Sequence, residues 1–264
     1  MQPNAAERLP SAGIPPKFIV PNITARYPSL IALQSTRCGG VSEGPFASLN
    51  VGINTEDNHE SVKENTERLC SAAGIKPENM VYSDQVHGTE ILSAEKPGRY
   101  HGYDAIITDR KDLFLCVFTA DCYPVMLFDH RHNAVAAVHA GWKGSAGEIV
   151  IKTIAAMQKQ FHSNPEECCA YIGAGITAEA YEVSHDVAKE FSSDNSRRSL
   201  LSQEKYMLDL RTINYQQLLA SGISESNIEQ SPYCTSGNSD LFFSYRRDNG
   251  KTGRMVSLIG VRSL

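Results

Sequence analysis

Between residues 80 and 142 the chain alternates short apolar runs with Asp, Gly, Asn and His, the pattern of strands rather than helices. The runs fall at 81–86, 105–108, 113–119, 125–128 and 134–139. They are apolar at nearly every position, which predicts burial on both faces and layers on either side of the sheet. Residues 129–133 (Asp-His-Arg-His-Asn) form a polar break between the last two runs and predict a hairpin turn. Helical spacing governs other stretches. Val62, Leu69 and Ala73 share one side of 60–73, with Gly74 as C-cap, and Val150, Ile154, Met157 and Phe161 mark a stripe along 144–161. Segments 183–191 and 210–220 also read as helices, the second ended by Gly222. Further strands are predicted at 31–36 and 169–172, and a closing hairpin from 241–245 and 254–261 about Asp248-Asn249-Gly250. Residues 1–22 are interrupted by proline and predicted irregular, apart from a short strand at 17–20. The whole reads as an α/β chain of layered mixed β-sheets flanked by helices, a single domain over 1–264 with no internal repeat.

With 264 residues, 41% hydrophobic and 21% charged, the chain can bury a sizeable core. A net charge of −5 argues against a nucleic-acid scaffold, which would carry a basic face, but leaves room for a small anionic substrate held by local arginines. No apolar run approaches ~18 residues, and no basic start leads into an apolar stretch, so neither a membrane span nor a secretory signal is expected. Seven cysteines, an odd number with Cys168 and Cys169 adjacent, suit reduced thiols in the cytoplasm. Without coiled-coil heptads the expected state is a monomer.

Three short segments carry candidate chemistry: Gln85-Val86-His87-Gly88, Ala120-Asp121-Cys122-Tyr123-Pro124 and Val138-His139-Ala140-Gly141-Trp142. Each sets a His or Cys at a strand end or beside a turn. Two imidazoles and one thiolate are three protein ligands, which suits a zinc with an open fourth position. Cys122 and His139 lie on strands that one tight hairpin makes neighbours, and Asp121 is a candidate to orient a ligating imidazole. Taken singly, each of these residues is as readily a packed core or surface residue; the joint placement carries the reading. His130 and His132 form an H-x-H that could hold copper, but their polar setting reads as a turn. Arg37, in the glycine-rich loop 37–45, is a candidate for a phosphate or carboxylate, or else an ordinary surface arginine. Of Arg246 and Arg247, adjacent on a predicted strand, at most one can face a site.

Together these segments resemble the laccase-domain, or multicopper polyphenol oxidase, family, whose bacterial members include peptidoglycan editing factors and zinc-dependent purine nucleoside phosphorylases. The resemblance runs from about Ile31 to Val261 and rests on STRCGGVSEGPFASLNVG (35–52), QVHG (85–88), TADCYPVMLFD (119–129), VHAGWKG (138–144), YEVSHDV (181–187), Tyr206–Leu210 with Arg211, Cys234-Thr235, and FFSYRRDNGKTGR (242–254). It implies packed sheets covered by helices and a zinc held by His87, Cys122 and His139. One departure is Gly173-Ala174-Gly175-Ile176, where members usually have Gly-Pro before the isoleucine; it alters a turn and bears on a pocket wall. The laccase name fits poorly, because eight histidines with a single H-x-H do not build a multicopper cluster. Oxidase activity would have to come from copper in the CysHis₂ site.

Three functions compete. The resemblance implies phosphorolysis of adenosine, inosine and methylthioadenosine, with adenosine deamination as a side activity that zinc-activated water would serve. The zinc deaminases' H-x-E glutamate is absent, leaving Asp121 as a candidate acid or base. On this scheme Arg37 neutralises phosphate, Arg246 is a second substrate contact, and Phe242 or Phe243 offers the purine an apolar slot. The second function is an amidase editing peptidoglycan precursor peptides, with Cys122 as nucleophile and His139 as base or with zinc. The third is a non-enzymatic sensor whose metal shell is closed by Cys116 or Cys38.

Overall fold

The computed structural model describes residues 14–200, 202 and 204–263. Two six-stranded sheets stack face to face. The first runs in the order β1 (Phe18–Ile19), β2 (Leu30–Ser35), β15 (Met255–Val261), β7 (Phe114–Thr119), β3 (Met80–Asp84), β5 (Gly98–His101). The second runs β14 (Ile228–Gln230), β10 (Cys168–Ile172), β8 (Tyr123–Asp129), β9 (Ala134–Ala140), β6 (Ala105–Thr108), β4 (Ile91–Ser93). Antiparallel pairs dominate, but β3 is parallel to β5 and β7, β4 to β6, and β10 to β14, so both sheets are mixed.

Alternation along each strand divides the apolar residues between two interfaces. Leu115 and Val117 of β7 join Val81 and Ile259 against Met126, Val135 and Ala137 of the second sheet. Phe114 and Cys116, one residue out of phase, pack with Leu69 and Cys70 of α1 (His59–Ala73). On the second sheet's far face, Val125, Leu127, Ala136 and Val138 lie under α3 (Ile149–Phe161) and α5 (Leu210–Ala220). Four layers result, helix over sheet over sheet over helix, and the nearly continuous apolar runs follow from strands covered on both faces. Each such aliphatic side chain contributes about 1.5–3 kcal/mol by burial, and a one-residue slip would exchange the two sets, so the register is strongly specified.

Three expectations require correction. The helix over 144–161 is two helices, α2 (Trp142–Ala146) and α3, because a Cβ at Gly147 would stand 2.6 Å from Thr89 Cγ2 and Glu148 turns left-handed at φ 60°. Segment 183–191 holds only a short helix, α4 (His185–Ala188); Glu182–Ser184 forms β11 of a small third sheet with β13 (Lys205–Leu208) and β12 (Ser196–Arg198). The closing hairpin is absent. Phe242 and Phe243 are both fully buried, which adjacent residues of a one-sided strand cannot be, and β15 instead pairs with β2 and β7. Strands β4, β5 and β14 escaped the pattern because they are short and carry no buried residue. Of residues 1–22, positions 1–13 lie outside the described residues, and β1 falls within the strand predicted at 17–20. No helix among the described residues is long and apolar enough to cross a membrane.

Candidate metal centre and the cavity around it

Strand register assembles the site. β8 and β9 pair with Tyr123 opposite Ala140 and Pro124 opposite His139, so Cys122, just before β8, comes beside the end of β9. On the other side of β9, Ala105 lies opposite Val138, and the His139 N–H donates to the Asp104 carbonyl at 2.7 Å. The third candidate ligand arrives from the first sheet. β3 ends at Asp84, and the Gln85 amide then stands in for ladder bonds: its Nε2 donates to Phe118 O (2.8 Å) and its Oε1 accepts from Phe118 N (2.7 Å). The next turn puts His87 in the left-handed region at φ 59°. Three successive N–H groups, of Val86, His87 and Gly88, converge on the Asp104 carboxylate at 3.1, 3.0 and 2.7 Å.

That carboxylate also accepts from His139 Nδ1 at 2.8 Å, which leaves the imidazole's Nε2 as its available ligand atom. The ligand atoms of His87, Cys122 and His139 lie within 4.8 Å of one another. The two imidazoles meet edge to face, centroids 4.8 Å apart. Gly141 keeps the space between them open: a Cβ there would stand 3.0 Å from Cys122 Sγ and 3.2 Å from His87 Cδ2. Electrostatics point the same way. Burial would raise the Cys122 thiol, but the imidazoles of His139 and His87 outweigh it and hold the thiol at about 6. Burial would lower His139, but the Cys122 thiolate and Asp104 raise it to about 9. A thiolate, two imidazoles and an open cradle fit a metal ion of the borderline class. Among the described residues no fourth His, Cys, Asp or Glu joins the group: Cys116 is buried in the α1 core, and the Cys38 thiol donates to Asp240 O at 3.2 Å.

The other candidates distribute differently. Asp121 does not orient an imidazole; its carboxylate accepts from Thr235 Oγ1 and from Arg246 N, both at 2.7 Å, tying its loop to the 235–246 segment. The carboxylate on the imidazole is Asp104, whose only signal in the sequence is its place one residue before β6. Arg37 is a structural clamp that donates to Ala47 O (2.8 Å) and Ser239 O (3.1 Å) and lies over the Phe243 ring; neither lines the cavity. Phe242 and Phe243 are fully buried, so neither offers a slot to a purine. His130 and His132 bond to Glu167 O and Asp129, away from the site. Residues 173–176 are packing as well: Ala174 N–H donates to Gln34 Oε1 at 2.7 Å, a bond that proline could not make, and Gly175 lies against the Tyr123 ring.

The three ligands open onto a cavity of about 570 Å³ that Arg246 and Arg254 also line. Arg246 Nη1 donates to Glu182 O at 2.6 Å, and its guanidinium lies 5.1 Å from the Tyr181 ring centre. Arg254 Nη1 donates to Thr252 O (2.8 Å) and Gly253 O (3.0 Å), and its guanidinium lies over Tyr245. Neither forms an ion pair with a described carboxylate. Burial lowers the Arg254 pKa, against the opposing charges of Tyr245, Cys122 and Asp121. Thr119, in the same wall, has a buried hydroxyl with no partner. Arg254 and Thr119 fall within the segments 242–254 and 119–129, but nothing in the sequence marks either as a site residue, because both become part of a site only through the pairing of β15 with β7.

The family model described as multi-copper polyphenol oxidoreductase laccase matches residues 31–262. The chain belongs to this family. Its relatives include proteins named purine nucleoside phosphorylase from Deinococcus radiodurans (39% identical, covering 86% of this chain and 87% of the relative) and Bacteroides thetaiotaomicron (36%, covering 88% and 91%). Among solved structures, YlmD from Geobacillus stearothermophilus superposes with a TM-score of 0.85 at 34% identity, covering 90% of this chain and 93% of that one. The family shares the fold, and the oxidoreductase in its description has little support in the donor set: His87, Cys122 and His139 are the one group of three or more candidate ligands among the described residues.

Proposed function

We propose that the protein is a zinc-dependent purine nucleoside phosphorylase acting on adenosine, inosine and methylthioadenosine, with adenosine deamination as a side activity. One observation carries the reading: a CysHis₂ donor set opens onto a cavity that two arginines line without a carboxylate partner. In phosphorolysis a phosphate oxygen bonds to the ribose anomeric carbon as the bond to the purine nitrogen breaks, and the bonding pair leaves with the base. The protein must therefore gather a dianion beside that carbon. Arg246 and Arg254 supply the positive charge, held in place by backbone carbonyls and aromatic rings, and this role passes to them from Arg37. His87, Cys122 and His139 would hold the zinc, and Asp104 fixes the tautomer of His139. A bound zinc supplies Lewis acidity at that wall; copper in the same donor set is the route by which oxidase activity would arise.

The test is a product assay on zinc-replete protein given adenosine with and without phosphate. Adenine release that requires phosphate and disappears in Cys122→Ala supports the phosphorylase; inosine formed without phosphate supports the deaminase. Silence of the wild type on all three nucleosides refutes both.

Cys122, His139 and Asp104 also form a nucleophile, base and orienter, which favours a second reading, an amidase on peptidoglycan precursor peptides. The two diverge at His87, which a thiolate nucleophile does not need. Retained peptide hydrolysis in His87→Ala, with Cys122 open to alkylation when zinc is present, supports the amidase.

A further inference from the structure

Four aromatic side chains line the cavity: Phe118, Trp142, Tyr181 and Tyr245. Three of them are anchored in the protein. Trp142 and Tyr181 pack against the core beneath α3 and α5, and Phe118 packs against the core beneath α1. Tyr245 belongs to none of the apolar cores and is 55% exposed. It is nevertheless held. Arg254 lies over its ring with the guanidinium carbon 5.6 Å from the centroid, and a Cβ on Gly250 would stand 3.2 Å from its phenol end. Gly250, at φ 88°, closes the Asp248-Asn249-Gly250 turn, and its N–H donates to the Tyr245 carbonyl at 2.8 Å. A fixed, wet aromatic ring at a cavity wall leaves apolar area in water that a flat ligand would cover.

We propose that Tyr245 is the platform against which the purine base packs, and that Arg254 links this platform to the phosphate site. The inference rests on the phosphorylase reading and deepens it. The chemistry requires such a link, because the arriving phosphate and the departing base share one anomeric carbon and so must sit within a few ångströms of each other. Arg254 lines the cavity and touches the Tyr245 ring, so one guanidinium sets both positions. The ligand class is a planar heteroaromatic base joined to a ribose.

Trp142 is the single tryptophan of the chain and lies in the cavity wall, so its fluorescence reports occupancy without turnover. Adenosine and free adenine are titrated into zinc-replete, full-length wild type, Tyr245→Phe and Tyr245→Leu. A base stacked on an aromatic ring is worth enough to predict about ten-fold weaker binding of both ligands to Tyr245→Leu, with Tyr245→Phe retaining wild-type affinity. In turnover, Tyr245→Leu raises KM for adenosine and, because the lost ring also seats Arg254, raises KM for phosphate as well, whereas Tyr245→Phe keeps both near wild type, a pattern that general loosening of the site would not give. Wild-type affinity of Tyr245→Leu for both ligands overturns the platform and leaves the phosphorylase standing. A wild type that binds neither adenosine nor adenine overturns the nucleoside reading and the platform with it.

Discussion

Asp104→Asn tests the organisation of the site at its centre. The substitution keeps size and shape but turns one acceptor oxygen into a donor. Oδ1 serves His139 Nδ1 and His87 N; Oδ2 serves Val86 N and Gly88 N. Either orientation of the amide sets an NH₂ group against two N–H donors, so two of the four bonds are lost. Bonds to a charged acceptor contribute about 1.5–3 kcal/mol each, and the exposed loop bearing His87 can relax toward water, so the expected cost is about 3 kcal/mol. For a chain of 264 residues that lowers Tm by about 5–6 °C. Zinc binding suffers with it, because the 86–88 turn sets His87 and the carboxylate sets His139; affinity should fall about 10- to 100-fold. Calorimetry measures the first effect, and competition against a chromogenic chelator the second. An Asp104→Asn protein that melts as the wild type does and binds zinc within about two-fold of it would refute the claim that this carboxylate builds the site.

Gly141→Ala needs no change of backbone, since φ is −79°, yet its methyl enters the space between Cys122 and His87; zinc affinity should drop at nearly unchanged Tm, measured by the same competition. Arg254→Met should raise KM for phosphate by about ten-fold or more, the worth of a hydrogen bond to a charged group, whereas Arg37→Met should leave that KM unchanged and lower Tm. The fully buried Asp129 is pushed up by its burial, but His132 and the N–H groups of Arg131 and His132 outweigh this and hold its carboxyl below the usual range. The unfolded chain then binds the proton more readily, so the stability Asp129 provides is complete above about pH 4 and is lost as the pH falls through its lower folded value. Asp129→Asn should therefore be less stable than wild type at neutral pH, with the gap closing in acid melts.

Much of this site was legible in the sequence because its ligands fall at strand ends. The apolar runs after Cys122 and up to His139, with a polar turn between, determine a hairpin, and a hairpin makes its two ends neighbours. Local residue types also determined the double-sided burial of the strands and the helices 60–73 and 210–220. What tertiary structure alone decided was which groups from distant strands meet that hairpin. Asp104 reaches His139 through the pairing of β6 with β9, and Arg254 enters the cavity through that of β15 with β7. His87 comes from the other sheet; Gly88 announced a turn there, but the left-handed backbone of His87 and the Asp104 carboxylate that holds the turn came only with the tertiary structure. The same pairings removed Arg37 and Phe243 from the site and put Asp121 to work on Thr235 and Arg246. A sequence pattern records which face of each strand is buried, because burial acts residue by residue. Register across two stacked sheets is chosen by the whole core at once, so it is written in no single segment.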